Sequence, residues 1–308
     1  LICLKILLIL KATYIIVSGF FIEVILLLMN KETHCPLCNS NQLKFNFIEN
    51  GHHLVSCLNC DLHFINPYKQ NEINRNPLSS ERQNQSEELA VKYYLPFISK
   101  YISNQDSVLD IGCGCGVLLK KCKELGVRNL TGLENDKDRA AFAKKNTECN
   151  IIESEINDSE IKEKFSVITL INVISHLPDL NAFFIKINEM LNENGKLIIK
   201  TGLMKNGFGK KNWYDWQIPE HIQFLGEHTP EYFAKSFNLK LVEKILIPLS
   251  EDLFSIEYLK SQGRYRNINF MKSILASLPI AVKLLKSFYN LKTGNKLFTT
   301  ILVFEKAK

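Results

Sequence analysis

The stretch Val108-Leu109-Asp110-Ile111-Gly112-Cys113-Gly114-Cys115-Gly116 constrains this chain more than any other. It reads as a buried strand that ends in an acid and three alternating glycines, just ahead of a helical pattern. Glycine at such a turn lets the backbone bend sharply and approach a ligand with no Cβ in the way. The first amides of the next helix have no partner inside it and can meet an anionic group. Strand, glycine loop and helix in this order predict a nucleotide-like ligand.

The rest of the chain repeats that rhythm. Strand signals lie at 107–111, 129–134, 150–153, 165–172 and 195–201, with helical patterns at about 117–125, 136–146 and 180–190. Such alternation predicts a parallel sheet covered by helices on both faces. Ser86 to Ile102 reads as a helix ahead of the first strand, with Leu89, Tyr93, Leu95 and Ile98 as apolar positions. The pattern changes near the end. Thr229-Pro230-Glu231 opens a short helix, with Thr229 as its cap and Pro230 at its first position. Strands at Leu239 to Ile247 and Lys296 to Glu305 are expected to close the sheet edge as an antiparallel pair. An apolar helix at about 270–290, carrying Lys272, Lys283 and Lys286, is expected to cover the core rather than lie on a membrane.

Ahead of this region stand Cys35-x2-Cys38 and Cys57-x2-Cys60, with 18 residues between the pairs. That spacing predicts a four-thiolate zinc ribbon, and four thiolates leave the metal no open position, so the zinc is structural. Asn39 and Asn59-Cys60-Asp61 stand at turns where left-handed backbone is tolerated. His34, His52, His53 and His63 read as surface groups rather than ligands. Cys113 and Cys115 read as small packing residues. Nine cysteines used in this way point to a reducing compartment and a cytoplasmic protein. The formal charge of +6 is spread along the chain. Only Lys31, Lys44 and Lys69 stand near the cysteines, so nucleic acid is not an expected partner.

Residues 1–28 are strongly apolar but interrupted by Lys5, Lys11 and Glu23, and the first methionine is Met29. Their longest uncharged run, Ala12 to Ile22, is 11 residues, short of the ~20 a spanning helix needs. They are read as an apolar leader or an extension upstream of a start at Met29; membrane contact through an anchor enters only if they belong to the native protein. Residues 29–67 then form the ribbon, 68–85 a polar linker, and 86–308 the main domain.

Three glycines at 112, 114 and 116 do not fit the dinucleotide fingerprint, whose third glycine would fall at Val117. Preceded by Asp110, they resemble motif I of the class I S-adenosylmethionine-dependent methyltransferases. Leu130-Thr131-Gly132-Leu133-Glu134 ends the second strand in an acid, and Ser154-Glu155-Ile156 follows the third. Phe165 to Asp179, including Asn172 and Ser175-His176-Leu177-Pro178-Asp179, is similar to the family's fourth strand and the turn beyond it. Asn194-Gly195-Lys196 resembles the turn into its fifth. The resemblance implies a doubly wound, seven-stranded, mostly parallel α/β sheet with a small N-terminal ribbon. It implies S-adenosylmethionine as cofactor, held by Asp110, Gly112, Gly114, Gly116, Glu134, Glu155 and Asn172. Glu134 would accept from the ribose hydroxyls, and Glu155 would stand near the adenine amino group.

Methyl transfer is an in-line displacement that needs orientation, water exclusion and, for most acceptors, a base. His176, beyond the carboxyl end of the fourth strand, is the leading base, with a turn-shaping histidine as the equal alternative. Many relatives carry Glu where this chain has Ser175, which puts that acid's role in doubt. His221, in the long connection 203–230 with Trp213 and Trp216, is a second acid–base candidate in a segment suited to cover the acceptor. A metal between the two histidines lacks a third ligand. The ribbon resembles that of certain bacterial small-molecule methyltransferases, including longer nucleotide-sugar enzymes, so only the two-part arrangement transfers. A small-molecule acceptor such as a sugar or metabolite is the expected partner. The competing reading is a zinc-ribbon binding protein whose methyltransferase-like domain no longer catalyses.

Overall fold

The computed structural model describes residues 34–68, 79–204, 218–248 and 297–307, with isolated helical positions between 280 and 291. The leader 1–28, Trp213 and Trp216 lie outside the described residues. The strands are β1 (Leu43–Glu49), β2 (His52–Cys57), β3 (Leu62–Ile65), β4 (Ser107–Ile111), β5 (Asn129–Glu134) and β6 (Asn150–Glu153). They continue with β7 (Phe165–Ile171), β8 (Leu191–Met204), β9 (Gln223–Gly226), β10 (Leu239–Pro248) and β11 (Leu297–Lys306). The main helices are α1 (Ser80–Ile98), α2 (Val117–Glu124), α3 (Lys137–Thr147), α4 (Leu180–Met190) and α5 (Thr229–Ser236).

Five strands run parallel in the order β6, β5, β4, β7, β8. β11 lies antiparallel against β8, and β10 antiparallel against β11, which is the edge pair the sequence predicts. The strands are apolar on both faces because helices cover both. Val91, Tyr94 and Ile98 of α1 and Leu118, Leu119 and Cys122 of α2 share one core with Val108, Val167 and Ile198. Leu180, Phe183, Phe184 and Ile187 of α4 and Phe233 of α5 share the opposite core with Leu109, Ile168 and Leu197. Helix starts are set by side chains: Asp136 Oδ1 accepts from Arg139 N at 3.0 Å, and Asp179 Oδ1 accepts from Ala182 N at 2.9 Å.

Phe184 is fully buried, with the rings of Phe233 and Phe237 centred 4.2 Å and 4.8 Å away. Truncating it leaves a cavity among aromatic neighbours that cannot all move in. Phe184→Ala should therefore lower stability by about 3–5 kcal/mol in a denaturant titration; a loss under about 1 kcal/mol would show that this face is loosely packed.

Two details depart from the sequence reading. Helix α1 begins at Ser80, not Ser86, because its polar first turns have partners elsewhere in the fold. The Ser80 carbonyl accepts from Cys115 Sγ at 3.3 Å, and Asn84 Oδ1 accepts from Asn146 Nδ2 at 3.3 Å. Thr229 is not the cap of α5. It is the first helical residue, fully buried, and its Oγ1 accepts from Gly226 N at 3.0 Å, while His228 holds the cap position. Most of the helix expected at about 270–290 lies outside the described residues; of its described apolar positions, Ile280, Leu284 and Phe288 are exposed, as is Leu291 just beyond it.

The ribbon is joined to the main sheet. β3 pairs antiparallel with β9, and β9 pairs parallel with the end of β8 at Leu203 and Met204. β7 follows β8 only as far as Lys200, which opens the edge that β9 fills. Among the described residues no helix is long and apolar enough to cross a membrane.

Candidate cofactor and acceptor site

The glycine loop folds back over the end of β5: Gly112 N and Cys113 N both donate to Leu133 O, at 2.7 Å and 3.0 Å. Gly112, Gly114 and Gly116 have φ of +68°, +56° and +81°. A Cβ on Gly112 would lie 2.5 Å from Val173 Cγ2, and one on Gly116 2.5 Å from Thr147 Cγ2. At Gly112 and Gly116 handedness and space thus both demand glycine. Cys113 and Cys115 are buried between these glycines, and burial pushes the Cys115 thiol up to about 12, as expected of packing residues rather than nucleophiles.

Acids surround the loop. Asp110 is fully buried and accepts from Thr169 Oγ1 at 2.6 Å; burial pushes its carboxyl up to about 7. Glu134 is also buried, with Oε2 accepting from Gly114 N at 2.9 Å and Oε1 from Asp136 N at 3.0 Å. An ionised carboxylate has about four lone-pair sites, so Glu134 keeps acceptor capacity beyond those two amides. Asn172 ends β7 at φ +58°, its N donating to Lys200 O at 2.8 Å and its Oδ1 accepting from Lys200 Nζ at 3.4 Å. Glu155 follows β6, where Ser154 N donates to Glu134 O at 3.2 Å, but Glu155 itself is exposed.

Two residues at this loop escaped the sequence reading. Thr169 faces Asp110 across the β4–β7 register, and a lone hydroxyl in the run Val-Ile-Thr-Leu-Ile was its only signal. Glu87 reaches the loop from α1, where Oε2 accepts from Cys115 N at 3.1 Å. Its signal was a charge in helical register with the buried Val91, Tyr94 and Ile98.

His176 and His221 come together with ring centroids 4.7 Å apart. His176 Nδ1 lies 2.9 Å from Glu220 O. A carbonyl only accepts, so Nδ1 carries a proton, and in the neutral ring the lone pair sits on Nε2. The same two segments are tied by Ile222 N donating to Ser175 O at 2.9 Å and Gln223 Nε2 donating to Ile174 O at 3.1 Å. Ser175 therefore contributes its backbone to this clamp. Beyond it, β9 carries the ribbon, and Asp61 Oδ2 accepts from His228 N at 3.1 Å.

In the ribbon the Sγ atoms of Cys35, Cys38, Cys57 and Cys60 all lie within 4.8 Å of one another. Cys35 and Cys60 are 3.5 Å apart and Cys38 and Cys57 3.4 Å, close to the ~3.8 Å edge of a tetrahedron with ~2.3 Å metal–sulfur bonds. Both knuckles close alike: Asn39 N donates to Cys35 O and Asp61 N to Cys57 O, each at 3.0 Å, with φ of +56° and +59° at Asn39 and Asp61. A hydrogen bond from Cys60 pulls the Cys35 thiol down to about 6 and holds Cys60 up, two sides of one shared proton. The donor set fits zinc, which takes all four as thiolates. His63 is not a surface group: it is buried on β3 with Nδ1 2.6 Å from Ser56 Oγ, held neutral because burial outweighs the pull of Asp61.

A cavity of about 450 Å³ opens at the amino ends of β5 to β7, beside Arg128, Thr131 and Lys164. Open α/β sheets bind ligands beyond the carboxyl ends, where the glycine loop stands. Fold and loop thus define a doubly wound domain of the class that seats a nucleotide-like cofactor above β4 and β5. The chain belongs to the methyltransferase domain family, whose model matches residues 81–244. Its fold is similar to coclaurine N-methyltransferase bound to N-methylheliamine and S-adenosylhomocysteine (TM-score 0.53, 17% identity, 70% of this chain and 72% of that one). It is also similar to geranyl diphosphate C-methyltransferase from Streptomyces coelicolor A3(2) (TM-score 0.52, 13% identity, 78% and 89% covered). In sequence it is 30% identical over 128 residues to ribosomal protein L11 methyltransferase of Thermosipho africanus, covering 38% of this chain and 48% of that protein. It is 26% identical over 99 residues to ubiquinone biosynthesis O-methyltransferase of Bradyrhizobium diazoefficiens, covering 30% and 39%. The chain spans about half the length or less of these curated relatives.

Proposed function

We propose that this protein transfers a methyl group from S-adenosylmethionine to a small molecule, with a structural zinc ribbon bracing the acceptor side. The observation that carries the reading is the loop Gly112 to Gly116, three left-handed glycines ringed by acids, in a chain of the methyltransferase domain family. When bound, the cofactor supplies a methyl group already activated on a sulfonium. Gly112, Gly114 and Gly116 admit its methionine portion without a Cβ in the way. Asp110 holds the loop through β7. Glu134 offers its remaining lone pairs to the ribose hydroxyls, with Glu155 and Asn172 at the rim of the crevice. His176 takes the acceptor's proton at Nε2, Glu220 O fixing its tautomer from behind. His221, its ring tilted 54° to that of His176, lies beside it and orients the acceptor.

Small-molecule transfer is supported by the fold shared with coclaurine and geranyl diphosphate methyltransferases. The L11 methyltransferase likeness makes a protein acceptor the reading to test against it. Release of S-adenosylhomocysteine would be followed with panels of nucleotide sugars, phenols, amines and purified ribosomal protein L11. Turnover with a small molecule supports the proposal; turnover with L11 alone overturns it. Cofactor binding without turnover on any acceptor favours the inactive zinc-ribbon binder. His176→Ala should lower kcat by about a hundredfold or more, the range for losing a general base, with affinity for S-adenosylhomocysteine kept within about twofold. Unchanged kcat would return His176 to shaping its turn.

A further inference from the structure

We propose that Glu87 of α1 is a cofactor-binding residue whose carboxylate receives the ammonium group at the methionine end of S-adenosylmethionine, beside Gly114. This rests on the cofactor site described above. Glu87 belongs to the inward stripe of α1, one turn ahead of Val91 and two ahead of Tyr94. Its Oε2 accepts from Cys115 N at 3.1 Å and its Oε1 from Gln83 Nε2 at 3.0 Å. A Cβ on Gly114 would stand 2.2 Å from Oε1, so the carboxylate is seated directly on the loop.

Gly112 and Gly114 face different partners. Gly112 abuts Val173, which leads into the His176 turn, so the reacting sulfur and methyl belong on that side. Gly114 abuts Glu87 of α1 instead, where the amino-acid tail of the cofactor would end. The groups facing Glu87 are Asp110 on β4, Glu134 on β5, Arg139 on α3, and Gln83 on its own helix. Arg139 is shared with Asp136 at 3.6 Å. Acids therefore outnumber cations around the loop, a field that favours a ligand carrying an ammonium and a sulfonium. A carboxylate half-buried in such company is costly until a cation meets it.

Burial, with the charge of Glu134 adding to it, pushes the Glu87 carboxyl up to about 7. An ammonium beside it favours the ionised form, so binding expels a proton near neutral pH. Affinity should rise about tenfold from pH 6 to pH 7.5 and level off above, because the free carboxyl is already ionised there.

The test is calorimetric titration with S-adenosylhomocysteine, which carries the ammonium, and with 5′-methylthioadenosine, which lacks the amino-acid tail. Glu87→Gln should weaken S-adenosylhomocysteine by about tenfold or more at pH 7.5, as for losing a charge-assisted hydrogen bond. It should leave methylthioadenosine within about twofold and remove the proton release attributable to this carboxyl. Glu87→Asp, which keeps the charge, should retain that release at intermediate affinity. If Glu87→Gln weakens both ligands equally, Glu87 merely holds the loop and the proposal fails. It fails equally if neither ligand is affected. Wild-type protein that binds neither ligand overturns the cofactor site itself, and the assignment of Glu87 with it.

Discussion

Gly114→Asp should weaken S-adenosylmethionine binding by about a hundredfold or more in a protein that still folds. Position 114 has φ +56°, a conformation most side chains resist but Asp and Asn tolerate several-fold better than others. The backbone can therefore keep its course. The new Cβ meets the end of the flexible Glu87 side chain at 2.2 Å, and Glu87 can swing aside. What cannot be accommodated is the ligand. An aspartate at 114 fills the space above the loop and brings a further carboxylate beside Glu87, Glu134 and Asp110. The thermal midpoint should fall by only a few degrees, as for a loss of about 1 kcal/mol in a domain of this size. Gly114→Ala adds bulk without charge and should bind the cofactor between wild type and Asp. Titration calorimetry with S-adenosylhomocysteine reads all three; micromolar binding by Gly114→Asp would show that the loop is not where the cofactor lies.

The second large effect concerns the ribbon. Stripping zinc with a chelator, or replacing Cys57 by Ser, should cut acceptor turnover by about tenfold or more while leaving S-adenosylhomocysteine affinity within about threefold. Structural zinc supplies about 10–16 kcal/mol in small zinc-finger peptides, and such modules unfold without it. Here the consequence has a direction. β3 holds β9 through Leu62, His63 and Phe64, and Ile65 N donates to Ile222 O at 2.9 Å. Glu220, Ile222 and Gln223 in turn clamp the turn that carries His176. The glycine loop hangs instead from β4 and β5, on the far side of β7 and β8. Losing the ribbon should release the histidines and spare the loop. Equal loss of turnover and binding would mean the whole domain depends on the metal, and no loss of either would make the ribbon irrelevant to the site.

What could be read in the sequence was whatever is local or periodic. β4, β5 and β7 are mostly buried strands with apolar residues at their centres, β6 is a short pair of isoleucines between polar ends, and the bounds of all four follow from composition within a residue or so. Asp136 and Asp179 announce their helices by capping them. The four cysteines need only their spacing, and the glycine loop needs only its alternation. The features that were missed depend on partners far along the chain. Thr169 is a site residue only because register sets it opposite Asp110. Glu87 looks like a solvated charge until α1 is laid across the loop, 28 residues away in sequence. The same packing makes Ser80 to Gln85 helical instead of a linker. His63 is inside because β3 is the strand that meets the main sheet, and no local signal says so. Thr229 carries the chemistry of a cap, but its hydroxyl is taken by Gly226 N of the preceding turn.

Crystals grown with S-adenosylhomocysteine and solved as the complex test the central claim most directly. The homocysteine tail should lie along Gly112 to Gly116 with its ammonium at Glu87, the ribose hydroxyls at Glu134, and the sulfur turned toward His176. Density for the ligand at the amino ends of the strands, or a crevice above β4 and β5 filled by the chain's own side chains, would contradict it.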